Sequence, residues 1–124
     1  MKVQDFKDMI VWQRAKELTM LVYEGTRQYP KAEQFGLTSQ VRRAAVSIVS
    51  NIAEGYARQH TREYIQSLYT SLGSAAELET QMIVSFGLGY LKGETFTNIM
   101  DKVKEVQKML NGLIRSLEPR TCAC

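Results

Sequence analysis

Between Leu37 and Arg58 the chain carries more apolar surface than one helix face can use. At about 100° per residue, Leu37, Val41, Ala44, Ala45, Ile48 and Ile52 form one apolar face, and Val46, Val49, Ala53 and Ala57 carry it around the back. The arc spans roughly 220°, wider than the stripe that a helix on the surface of a single bundle buries. A helix this apolar has to bury a second face. A chain of 124 residues suits one domain with one core, so the expected cover is a second copy of the same chain. The alternative is cover by long side chains of neighbouring helices. What remains of the circumference is a narrow polar seam of Gln40, Arg43, Ser47, Asn51, Glu54 and Arg58.

Three further segments share the helical period. Val11, Trp12, Ala15, Leu18 and Val22 predict a first helix over about Lys7 to Gln28, ended by Pro30. Tyr29 to Gly36 reads as a turn. The second helix is predicted from Leu37 to Ser39, with Thr38 or Ser39 as its cap, to about Arg58, and Gly55 reads as a mark of its end. The third is predicted from Thr61, as its cap, to Leu88-Gly89, with Leu68, Leu72, Ala75, Met82, Ile83 and Phe86 as its apolar face. The fourth starts near Glu94 or Thr95 and stops before Pro119, burying Phe96, Ile99, Val103, Val106, Leu110, Leu113 and Leu117. Connections this short make neighbouring helices antiparallel. The expectation is an all-α, up-down-up-down four-helix bundle over residues 1–118, with a disordered tail over 119–124 that holds Cys122 and Cys124.

Glu79 stands out because it falls within the expected apolar face of the third helix. A buried carboxylate needs a cation, and Arg42 or Arg43 is the expected partner in an internal ion pair. Thr70, Ser74, Glu77 and Gln81 form a polar stripe on the same helix. This stripe and the seam of the second helix are expected to hydrogen-bond to each other or across a subunit interface, with a ligand groove as the alternative. On the fourth helix, Lys104, Lys108 and Arg115 cluster opposite the apolar arc. They are candidate nucleic-acid contacts, or else an ordinary solvated face. The net charge of +3 permits a nucleic-acid partner without requiring one.

Enzymatic chemistry has little support in the residues. The one histidine, His60, falls in a predicted loop. No P-loop, GxGxxG, HExxH, GxSxG or paired CxxC occurs, and no Glu-x-x-His supports a di-metal bundle. Glu77 and Glu79 point to different helix faces and make poor joint ligands. The chain is therefore read as a non-enzyme without cofactor or metal; catalysis by Glu79 or Glu54 ranks last. No apolar run approaches the roughly 20 residues that span a bilayer, and the charged N-terminus lacks a signal core, so a cytoplasmic location is expected.

The stretches VWQRAKELTMLVYEGTRQYP, FGLTSQVRRAAVSIVSNIAEGYAR (residues 35–58) and SLGSAAELETQMIVSFGLGYL (residues 71–91) resemble, in order and spacing, the four-helix-bundle family encoded within intervening sequences of bacterial 23S rRNA genes. The likeness runs over roughly residues 5–117, and the TCAC tail lies outside it. The resemblance implies an up-down bundle assembled as a ring-shaped homopentamer, with a poorly defined activity. A related branch, the accessory variability determinant proteins of diversity-generating retroelements, binds a reverse transcriptase and RNA through a basic surface. The resulting expectation is a homo-oligomeric scaffold that binds RNA or a ribonucleoprotein. The alternative is a protein-protein adaptor for a partner enzyme such as a reverse transcriptase.

Overall fold

The structure, a computed structural model, describes residues 5–118. Four helices account for most of it: α1 (Ile10–Gly25), α2 (Leu37–Ala57), α3 (Thr61–Gly87) and α4 (Gly93–Leu117). No strand occurs among the described residues. The predicted tail, with Cys122 and Cys124, lies outside them.

Contacts between side chains fix the direction of every neighbouring pair. Arg14 meets Glu105 and Glu17 meets Lys102, so residue numbers rise on α1 as they fall on α4. Thr19 reaches Ala45 while Thr26 reaches Arg42, which makes α1 and α2 antiparallel. Ser74 meets Ser47 and Ser71 meets Ile48. Phe86 stacks on Phe96 while Tyr69 reaches Glu118. Each helix packs against two neighbours in the cyclic order α1, α2, α3, α4. The result is the expected up-down-up-down bundle, with α1 and α3 at diagonal corners and running the same way.

The helix ends differ from expectation, for local reasons. Residues Phe6–Asp8 form a separate 3-10 turn, closed by the Asp5 carboxylate accepting from the Lys7 N–H at 2.7 Å, so α1 begins only at Ile10. At its other end the Thr26 hydroxyl donates to the Val22 carbonyl. Neither Thr38 nor Ser39 caps α2. Glu33 reaches over instead, and its Oε1 accepts from the Leu37 N–H at 3.2 Å. Thr61 likewise makes no cap; the cap position falls to His60, without a side-chain bond. The end of α3 is as expected. Gly89 takes the left-handed conformation (φ +79°), and the N–H groups of Gly89 and Tyr90 donate to the carbonyls of Phe86 and Ser85.

The core is built from Ala15, Leu18, Val22, Val41, Ala45, Ile48, Ile52, Leu68, Leu78, Met82, Val103, Val106 and Leu110, all fully buried. The apolar stripe of α4 is buried at Ile99, Val103, Val106, Leu110 and Leu117 as predicted, with Ile114 added, while Phe96 and Leu113 are only partly covered. On α3 the buried face is rotated toward α2. Ser71, Leu78 and Ser85 are inside, while Ile83 and Phe86, expected in the core, are exposed. Small side chains drive that rotation. The Ser71 hydroxyl donates to the Ile48 carbonyl at 2.8 Å, which needs the two helices close together. Gly55 does not end α2. It lies buried inside it, and a Cβ there would stand 2.6 Å from the Cβ of Ser67.

Candidate interaction surfaces

Three surfaces follow from this packing. The first is the α2–α3 seam. Ser47 and Ser74 hydroxyls lie 2.8 Å apart, and Asn51 Nδ2 donates to the Ser47 carbonyl and, at 3.2 Å, to its hydroxyl. The seam's middle is therefore spent on holding two helices together. Toward its end Glu54 pairs with Arg58 on the surface of α2 itself. Gln40, Arg43, Ser47, Glu77 and Gln81 line an open groove at the other end. Glu77 and Arg43 face this groove without an ion pair to any described residue.

The second surface lies between α3 and α4. Glu79 does not meet Arg42 or Arg43. Its Oε2 accepts from Lys104 Nζ at 2.6 Å and its Oε1 from Gln107 Nε2 at 3.0 Å. The rotation of α3 explains this, because it carries Glu79 from the core to the edge that faces α4. The Lys104 ammonium, and then Gln107, hold the carboxyl below its ordinary range against a partial desolvation that would raise it. Lys104 is thus tied to an acid. Lys108 and Arg115, further along the same face of α4, form no ion pair with a described residue.

Arg42 has a different task. Its Nε donates to the Thr26 hydroxyl at 2.9 Å, its NH2 reaches the Tyr23 carbonyl, and its guanidinium lies 4.7 Å from the Tyr23 ring centre. This clamp organises the third surface, the outer side of the α1–α2 pair. Val46, Met20 and Tyr23 are exposed there, with Val49 and Ala53 half-buried beside them. Across the bundle, α1 and α4 are joined by Glu17, Lys102, Arg14 and Glu105, a network of four alternating charges. Lys102 is held above its ordinary range, chiefly by its hydrogen bond to Glu17.

The family model of 23S rRNA-intervening sequence proteins matches residues 7–112, nearly the whole bundle. The chain belongs to that family. The chain is also similar to a solved Bacteroides thetaiotaomicron protein of unknown function from the S23 ribosomal protein family. The two share 23% identity and a TM-score of 0.78, over 85% of this chain and 98% of the other. At that identity the likeness speaks for the fold. Curated proteins include no significant match. Among the described residues, no helix is long and apolar enough to cross a membrane, and no cluster of acids, histidines or cysteines is arranged to hold a metal.

Sequence reasoning missed Ser71 and Gln107, read Gly55 as the end of α2, gave Arg42 the wrong partner and did not foresee the pairing of Lys104 with Glu79. Serine and glycine on an apolar arc were the available signal for Ser71 and Gly55, because close helix contact favours small residues. Nothing local marks Gln107 or the Thr26–Arg42 contact, which depend on how the helices are rotated against each other.

Proposed function

We propose that this protein is a non-enzymatic, cytoplasmic, homo-oligomeric scaffold that binds RNA or a ribonucleoprotein, assembled from five copies as the family resemblance implies. The observation that carries the reading is the outer face of α2. With every helix in place, Val46 remains 39% exposed and Val49 and Ala53 stay partly exposed, so the second apolar face is not fully covered within one chain. Lys108 and Arg115 supply the positive charge, and repetition around an assembly multiplies a modest local field.

A second reading, a protein-protein adaptor for an enzyme such as a reverse transcriptase, draws on Lys104. Its charge is offset by Glu79, so the basic stripe is weaker than three free cations would make it. Filter binding of structured and single-stranded RNA across a salt series separates the two. Electrostatic RNA binding falls steeply with salt. Absence of binding to any RNA at low salt, with one protein recovered in nucleic-acid-free pull-downs, would favour the adaptor.

A further inference from the structure

The polar seam of α2 and the polar stripe of α3 close on each other over only part of their length. Ser47 and Ser74, with hydroxyls 2.8 Å apart, set the register between the two helices, and Asn51 seals one side of that pair. Because α2 and α3 are antiparallel, Arg43 lies one turn beyond Ser47 at the height where Glu77 lies one turn beyond Ser74. Gln40 and Gln81 follow one turn further on. Past the serines the helices part into an open groove of about 380 Å³, lined by these four side chains and the buried Ala44.

The two walls of the groove differ in kind. On α2, the Arg43 guanidinium and the Gln40 amide offer N–H donors. On α3, the Glu77 carboxylate and the Gln81 amide offer acceptors. Arg43 and Glu77 border the same groove, yet neither forms an ion pair or side-chain hydrogen bond with a described residue. Gln81 Oε1 is shielded from solvent and accepts no hydrogen bond from a described residue. A shielded acceptor without a donor is unfavourable, so the amide gains by turning toward a donor held in the groove.

This arrangement discriminates by charge. An anion such as a phosphate is drawn by Arg43 and repelled by Glu77, and a simple cation meets the reverse. A small species that carries both signs is favoured by both walls. We infer that the groove binds the zwitterion of a small α-amino acid, its carboxylate on the Arg43 fork and its ammonium on Glu77 and Gln81. Arg43 and Glu77 are exposed, which sets the expected affinity in the millimolar range. The inference stands apart from the scaffold reading, since it uses neither the apolar outer residues Val46 and Val49 nor the cations of α4.

The test is a titration of the isotopically labelled full chain, as it assembles in solution, read from backbone amide shifts at neutral pH. The probes are L-alanine, N-acetyl-L-alanine, which lacks the ammonium, and L-alaninamide, which lacks the carboxylate. L-alanine is expected to shift the amides of Arg43, Ser47, Glu77 and Gln81 saturably, and each derivative to bind at least about threefold more weakly. Arg43→Gln and Glu77→Gln alter exposed side chains without a partner among the described residues, so both variants fold. Arg43→Gln is expected to erase the preference for L-alanine over L-alaninamide. Glu77→Gln is expected to erase the preference over N-acetyl-L-alanine. The absence of a saturable shift with L-alanine up to about 100 mM overturns the inference. Equal binding of all three probes overturns it too, as do shifts that persist unchanged in both variants.

Discussion

The Glu79 carboxylate sits 2.6 Å from the Lys104 ammonium and so ties α3 to α4 midway along the bundle. The carboxyl is held below its ordinary value of 4.5, first by Lys104 and then by Gln107. A carboxyl with a lowered folded pKa binds its proton less tightly in the folded state than in the unfolded one. Its contribution is present above pH 4.5 and is lost as the pH falls toward the lower folded value. Lys104 is largely exposed, so the pair contributes about 0.5–1 kcal/mol. Glu79→Gln is expected to cost about that much at pH 7 and progressively less as the pH falls below 4.5, measured by urea unfolding across a pH series. An equal cost across the series would assign the effect to packing instead.

Gly55 is where α2 and α3 come closest. Gly55→Ala gains helix propensity of about 1 kcal/mol. It also places a Cβ 2.6 Å from Ser67 Cβ, a clash between two helix backbones that costs about 1–3 kcal/mol. The net expectation is destabilisation of about 1–2 kcal/mol by thermal or urea unfolding. Replacing Ser67 by Gly in the same chain is expected to recover part of the clash. A stabilised Gly55→Ala variant would mean that the helices separate there at little cost.

Gln59 links α2 to α3 in the left-handed region, at φ 63°. That conformation costs an L residue about 1–2 kcal/mol, and glycine escapes it at the expense of a more flexible unfolded chain. Gln59→Gly is therefore expected to raise stability by about 0.5–1 kcal/mol, read from the urea midpoint at constant slope.

These positions also show how far the residues alone could be read. The four helices were legible because each has a long, uninterrupted apolar period and the chain holds just two prolines. The stripe of α4 was legible for the same reason, being apolar on one side and charged on the other. The rotation of α3 was not. Its core face includes Ser71 and Ser85, which a count of apolar residues passes over, and it excludes Ile83 and Phe86, which such a count takes in. That error moved Glu79 into the core and suggested Arg42 or Arg43 as its partner. A serine's value for close helix contact shows only once the facing carbonyl, here that of Ile48, is known.

If the outer face of α4 meets RNA, its residues should differ in their effect. Lys108→Ala and Arg115→Ala are expected to weaken binding similarly across RNA sequences, each lowering the salt slope by about one. Lys104→Ala is expected to change the slope less, because its charge already serves Glu79. Unfolding by urea distinguishes it further, since Lys104→Ala alone of the three removes an ion pair with a described residue. Equal slopes for the three variants would show that Lys104 leaves Glu79 to bind RNA.

The apolar outer face of α2 is the feature on which the functional reading stands, and its most direct test is the mass of the particle in solution. Sedimentation velocity of the full chain at micromolar concentration is expected to give a discrete species several times the 14.1 kDa of one chain, and a folded, smaller species for Val46→Asp. A single 14.1 kDa species for the wild-type chain throughout the micromolar range would contradict it.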